Sequence, residues 1–180
     1  RYTLSSPTIE DTTKGFPVFL DVRRYLLANG KYNCEISIAD KNGSNDKPFT
    51  TSFPVEINFN NDSISMSDIQ IMERYEKSTQ PSVLTKSGYD LIPYVSSYFP
   101  ENIHSIKFYS EVYNSKKVLG EQQKILILYS IQPVNSNTRL ESYSTFSKQT
   151  TGEVNPILSE FDISALPSGN YVLAIEVRNS

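Results

Sequence analysis

The sequence has no tryptophan, one cysteine, one histidine and two methionines among 180 residues. Each shortage removes a class of chemistry. A lone cysteine cannot close an intramolecular disulfide, and Cys34 with His104 cannot supply the clustered ligands of a zinc site. A Ser-His-Asp triad would have to use His104, whose neighbours Asn102 and Ser105 offer no such arrangement. Neither G-x-G-x-x-G nor G-x-x-x-x-G-K occurs, so phosphate-cradling glycine loops are missing. No apolar run is long enough for a transmembrane helix. No signal peptide is visible, and Arg1-Tyr-Thr-Leu opens in mid-pattern, as a mature or excised fragment would. The net charge is -3 and no basic block exceeds Arg23-Arg24 in length, which argues against nucleic acid. Glu10, Asp11 and Glu101 fall in expected loops and define no glycosidase pair. The expectation is a protein without enzymatic activity: no catalytic residue, metal ligand or cofactor is assigned.

What is plentiful is the aromatic ring, with 12 Tyr and 9 Phe. Two of the tyrosines sit in a repeated pattern. Leu27-Ala-Asn-Gly30-Lys-Tyr32 leads into Asn-Cys-Glu-Ile-Ser-Ile, and Leu166-Pro-Ser-Gly169-Asn-Tyr171 leads into Val-Leu-Ala-Ile-Glu-Val. Phe19-Leu-Asp-Val and Glu160-Phe-Asp-Ile precede the two copies. Strand side chains alternate between faces, so Tyr32, Cys34, Ile36 and Ile38 share one face, and Tyr171, Leu173, Ile175 and Val177 share another. The opposite faces are mostly polar, as in an antiparallel sandwich with one wet side. The glycine suits a positive φ or a close backbone approach. Immunoglobulin-like sandwiches place such a tyrosine near the start of a late strand. Cys34, on the inward face, reads as a small buried hydrophobe.

The fold expected is therefore all-β, with two tandem immunoglobulin-like or fibronectin-like β-sandwich domains. The first, incomplete, covers 1–63 and the second 64–180. Strands are expected at Tyr2–Ile9, Phe16–Tyr25, Tyr32–Ala39 and Phe49–Phe59, with Val22–Ala28 alternatively a short helix. Pro54 suggests an edge or a bulge. Asn42-Gly43 marks a hairpin loop. Asp40, Asn42 and Asp46 offer calcium-type oxygens there, but not at EF-hand spacing. Beyond the polar break Asn58–Ser63, strands are expected at Ser65–Tyr75, Leu91–Val95, Ile103–Tyr113, Lys124–Gln132, Thr138–Phe146, Pro156–Ile163 and Asn170–Arg178. Ser65–Tyr75 breaks its period near Ser67, where a bulge or a short helix capped by Ser67 and Gln70 fits. Lys124–Gln132 is apolar on both faces and reads as central. Turns are expected at Lys86-Ser-Gly-Tyr and Asn114-Ser-Lys-Lys. A hairpin partner follows the first tyrosine-led strand and none follows the second, as if the fragment were cut before its last strand. Such an unpaired edge invites docking.

Tyr89, Tyr94, Tyr98, Tyr109 and Tyr113 are expected to be exposed, as a candidate sugar- or protein-binding surface. The alternative is packing between loop and sandwich.

Met66-Ser-Asp-Ile-Gln-Ile, Lys86-Ser-Gly-Tyr-Asp-Leu-Ile-Pro, Phe108-Tyr-Ser-Glu-Val-Tyr-Asn and Leu166-Pro-Ser-Gly-Asn-Tyr-Val-Leu follow one another in an order that resembles the β-rich region of GWxTD domain-containing proteins of Bacteroidota. The resemblance covers roughly 64–180. The GWxTD motif itself is absent, since the chain has no Trp. The resemblance implies an extracytoplasmic protein, periplasmic or outer-membrane associated, exported by a signal peptide or lipid anchor and without enzymatic activity. Asp11-Thr12-Thr13 and Asp62-Ser63-Ile64 are similar to the O-glycosylation signal of such bacteria, making Thr12 and Ser63 candidate glycan sites. The function expected is a non-catalytic protein-interaction module with a protein partner in an envelope complex. The alternatives are a carbohydrate-binding module using the tyrosines, or an accessory domain of a larger enzyme.

Overall fold

Alternation of apolar and polar side chains lays this chain out as strands packed in layers. The computed structural model describes residues 2–5, 13, 21–41, 47–136 and 138–179. Its strands are β1 (Gly30–Ile38), β2 (Phe49–Ile57), β3 (Ser65–Met66), β4 (Gln70–Lys77), β5 (Thr85–Lys86), β6 (Tyr89–Pro93), β7 (Ser105–Tyr113), β8 (Lys124–Pro133), β9 (Ser144–Thr150), β10 (Val154–Asp162) and β11 (Tyr171–Asn179). A single helical turn, α1 (Ser115–Leu119), joins β7 to β8. β1 and β2 form an antiparallel ribbon. A six-stranded sheet runs β10-β7-β4-β6-β5 with β3 beside β7, and a three-stranded sheet runs β11-β8-β9. The fold is an all-β sandwich.

The two sheets close over one core. Phe108 and Val112 of β7, Ile157 and Phe161 of β10, and Ile125, Ile127, Tyr129 and Ile131 of β8 are all buried. Each fully buried side chain of this size stabilises the fold by roughly 1.5–3 kcal/mol. Tyr171, Leu173, Ile175 and Val177 of β11 pack against that cluster, the face anticipated from their spacing. β8 lies between β11 and β9, central as its two apolar faces imply.

β3 and β4 are one strand interrupted by a bulge. Met66 faces Val112 and Gln70 faces Tyr109, so four steps on one strand oppose three on the other. Ser67 fills the gap: its N–H donates to the Glu111 carbonyl at 2.9 Å and its hydroxyl accepts the Glu111 N–H at 3.0 Å. A helix capped by Ser67 does not form. Met72 pairs with both Lys107 of β7 and Pro93 of β6; past it, beyond a register shift between Met72 and Arg74 in the β4–β6 ladder, β4 continues along β6. The β5–β6 hairpin then turns through Ser87 and Gly88, at φ 49° and 84°, the left-handed pair of a tight hairpin.

Several expectations near the ends of elements change. Asn114, at φ 64°, starts the turn α1 rather than a simple reversal. It is held by a buried polar knot in which the Ser115 hydroxyl lies 2.6 Å from Asn155 Oδ1 and accepts the Gly152 N–H at 3.0 Å. The strand expected at Thr138–Phe146 begins only at Ser144, because Leu140 and Tyr143 turn into the core through a 3₁₀ turn at Glu141–Tyr143. Residues 21–28 are neither strand nor helix. The Arg24 guanidinium there donates to the carbonyls of Val83 and Leu84, the latter at 3.2 Å. Residues 2–5 are likewise irregular. The rest of the two expected N-terminal strands, 6–9 and 16–20, lies outside the described residues, as do Asn42, Gly43 and Asp46 of the loop. Pro54 faces Asn33 without a bulge. The polar break is tied down, with Phe59 edge-on to Tyr113 at 5.5 Å and Asn114 Nδ2 donating to the Asn60 and Ser63 carbonyls at 3.2 Å.

Candidate functional site

The repeated pattern builds the same corner twice. The Tyr32 hydroxyl donates to the Ala28 carbonyl and the Tyr171 hydroxyl to the Pro167 carbonyl, each at 2.8 Å and each four residues back. A Cβ on Gly30 would stand 3.4 Å from the Tyr32 ring, and one on Gly169 would stand 3.3 Å from the Tyr171 ring. The glycines are there for close approach of the ring, not for a positive φ.

Beyond the corners the surroundings differ. The face led by Tyr171 lies on the sandwich core. The face led by Tyr32 is continued by its cross-strand partners into an apolar patch: Cys34 opposite Phe53, Ile36 opposite Thr51, Ile38 opposite Phe49. Its far end is open, with Ile38 62% and Phe49 67% exposed. Cys34 is half-buried rather than fully buried, because this face has no second layer over it among the described residues. The reverse of the ribbon is polar, with Lys31 opposite Glu56.

β11 ends its sheet. Among the described residues it pairs only with β8, so one flank is unpaired along all nine residues. The Val134 N–H donates to the Asn170 carbonyl at 3.1 Å, which turns the backbone groups of the even-numbered residues 170–178 towards β8. Those of Tyr171, Leu173, Ile175 and Val177 therefore aim at the open flank. Beside it a depression of about 260 Å³ separates β11 from β3, lined by Ile64, Ser65, Met66, Val112, Val177, Arg178 and Asn179. The Ser65 hydroxyl is buried there with no hydrogen-bond partner. On the outer face of β11, Glu176 is held by Arg178 at 2.6 Å and Arg139 at 2.5 Å, and these cations keep its carboxyl below the ordinary range.

Comparison of the chain with protein-family models, with curated proteins and with solved structures found no match. The site reading therefore rests on this geometry.

The five candidate tyrosines do not form one open surface. Tyr109 is 2% exposed, which corrects the expectation that it is a surface ring. It packs with Met72 and Leu91, with Tyr75, Tyr89 and Leu158 around them, because the β5–β6 hairpin covers this side of β7. Tyr109 and Tyr113 both donate to the Glu111 carboxylate, joined by the Ser87 hydroxyl at 2.7 Å and Lys86 Nζ at 2.8 Å. Burial pushes the Glu111 carboxyl up, but the bonds from Lys86, Tyr109, Tyr113 and Ser87 outweigh it and hold it at about 2. Tyr94 lies elsewhere, stacked on Phe99 at 4.9 Å with its hydroxyl on the Tyr98 carbonyl at 2.7 Å. Only Tyr98 is largely exposed, at 70%. Sequence reading missed Glu111 as a buried anion. The available signal was a glutamate flanked at both i-2 and i+2 by tyrosines, which share its face of the strand.

The remaining candidates are scattered. His104 is exposed at the rim of a second shallow depression with Ser105, Glu160, Asp162 and Ser164. Asp162 there accepts the Ser164 N–H at 2.9 Å and its hydroxyl at 2.5 Å. Ser63 is half-buried in the turn before β3, next to Asp62, which pairs with Lys117 at 2.8 Å. Thr12 lies outside the described residues.

Proposed function

We propose that this chain is a non-catalytic protein-interaction module of a bacterial cell-envelope assembly, acting outside the cytoplasm. The observation that carries the reading is the flank of β11, nine residues long, that no described strand pairs, with a depression beside it. Natural sheets protect such flanks with proline, bulges or a covering segment. β11 contains no proline and no bulge. The open apolar end of the ribbon at Ile38 and Phe49 supplies a second surface of the same character. The extracytoplasmic placement follows from the ordered resemblance to GWxTD domain-containing proteins. In the same reading, the ribbon and the sandwich belong to two successive sandwich domains.

Photo-crosslinking tests this. A crosslinking residue would be placed at Val172 on β11, at Ile38 on the ribbon, and at Lys148 on β9 as a control. Specific adducts with one envelope protein from Val172 or Ile38, and none from Lys148, are expected. A chain that yields no adduct from either surface in envelope preparations is not such a module.

A further inference from the structure

We infer that the open flank of β11 is a receptor groove for one extended strand, donated by a partner polypeptide, running antiparallel to β11 and apolar at every second residue. The inference rests on the interaction reading above and specifies the partner.

β1 and β11 start alike, so Tyr32 corresponds to Tyr171, Cys34 to Leu173, Ile36 to Ile175 and Ile38 to Val177. The question is on which flank β2 sits. Asn29 answers it: its side chain donates to the Phe59 carbonyl at 2.7 Å and accepts the Phe59 N–H at 3.0 Å. Phe59, just past β2, thus turns its backbone groups towards β1, and by alternation so do the odd-numbered residues of β2. Pro54, which lacks an N–H, agrees, because it faces Asn33 at an even-numbered position that needs no donor towards β1. Tyr32, opposite Val55, therefore aims its backbone at β2. Tyr171 aims its backbone at the open flank. The flank that β2 fills on β1 is the flank left unpaired on β11.

This equivalence fixes the chemistry of the occupant. In an antiparallel pair, directly opposed residues project on the same face. Residues opposite Tyr171, Leu173, Ile175 and Val177 would point towards the sandwich interior, so they are apolar. On β1 these positions are Val55, Phe53, Thr51 and Phe49. At the Val177 end the incoming side chain enters the depression between β11 and β3, beside Ile64, Met66 and Val112. The buried hydroxyl of Ser65 there lacks a partner, and a donated strand brings polar backbone groups to that wall. β2 is already engaged with β1, and no other described strand lies on this flank, so the occupant we assign is a strand brought by a partner.

A synthetic peptide with the sequence of residues 48–59 serves as the probe, added to the whole 180-residue protein and followed by hydrogen exchange. Without peptide, the amides of Leu173, Ile175 and Val177 are expected to exchange much faster than those of Val172, Ala174 and Glu176. Saturating peptide is expected to slow the odd-numbered set by at least about tenfold, leaving the even-numbered set unchanged. A spin label on the peptide N-terminus should broaden signals near Asn179 rather than near Tyr171. A peptide with Phe53→Ser and Val55→Ser should not protect. The inference fails if the odd-numbered amides are already protected in the free monomer, if two copies pair through β11, if the peptide changes nothing, or if the serine peptide protects equally. Failure here with crosslinks still formed from Ile38 leaves the interaction reading standing on the ribbon; failure of both crosslinks removes that reading itself.

Discussion

Ser87 donates a 2.7 Å hydrogen bond to Glu111, tying the tip of the β5–β6 hairpin to the outer face of β7. The two strands are not neighbours in the sheet, since β4 and β6 lie between β7 and β5. The bond therefore reports how far the sheet coils: the hairpin lies back over β7, with Leu91 and Tyr89 packed around Tyr109. A carboxylate 3% exposed is affordable there only because four donors surround it.

Glu111→Gln should therefore be costly. The amide keeps the shape but loses the charge that Lys86 pairs with, and it turns donor hydrogens towards donors. Breaking a buried charged network of this kind costs about 3 kcal/mol or more. Urea denaturation should show the midpoint falling with the slope unchanged. A loss below about 0.5 kcal/mol would mean that the network does not hold the hairpin.

The same group sets a pH dependence. In the folded chain its carboxyl sits at about 2, against 4.5 for an ordinary glutamate. A depressed carboxylate contributes stability that is fully present above the unfolded value and is lost as pH falls towards the folded one. The wild-type chain should therefore lose roughly 3 kcal/mol from this residue between about pH 5 and pH 2. Glu111→Gln should lack that component, so the two stability curves converge in acid. Curves that stay parallel down to pH 2 would contradict the assignment.

Gly88 gives a cleaner backbone test. Its φ is +84°, and a Cβ built there meets nothing within 4 Å. Any penalty for Gly88→Ala is thus conformational, about 1 kcal/mol. Gly88→Asn should cost less, because asparagine enters the left-handed region more readily. Thermal unfolding of the two variants measures the order directly.

The sequence made the strands legible where one face is buried and the period is strict. β7, β8, β10 and β11 fall within about two residues of their expected bounds, because Phe108, Ile127, Ile157 and Leu173 must all face one core. Tyr32 and Tyr171 were legible as corners, because the glycine two residues earlier is what lets the ring fold back. β9 was misplaced, since Ser144–Thr150 has no apolar alternation and its start depends on Leu140 and Tyr143 finding the core. Tyr109 was misread for a related reason. Its neighbours Lys107 and Glu111 make the face look wet, and only the coiling of β4 and β6 decides that it is covered. That β11 lies at the edge of its sheet among the described residues was not encoded in its own alternation, which only fixes which face is buried. The depression beside it and the orphaned Ser65 hydroxyl were not legible either, because they depend on how β3 sits against β11.

The corners should respond unequally to loss of a hydroxyl. Tyr171→Phe removes a bond beside the sandwich core and should lower global stability by about 1 kcal/mol. Tyr32→Phe removes the same bond from the ribbon, whose far end carries no second layer among the described residues. It should leave the main unfolding transition in place and instead speed exchange of amides in Gly30–Ile38. Equal shifts of the global transition would mean that ribbon and sandwich unfold as one unit.

Ile38 and Phe49 face each other across the ribbon at 62% and 67% exposure. Little apolar area is removed from water at this pair, so Ile38→Thr with Phe49→Thr forfeits little burial while keeping residues that suit a strand. Sandwich stability should change by no more than about 0.5 kcal/mol. Binding of a hydrophobic dye should drop, because the double variant removes the open end of the apolar face. A loss of about 2 kcal/mol or more would instead mean that these rings are covered in solution, and that the ribbon is a buried layer rather than an available one.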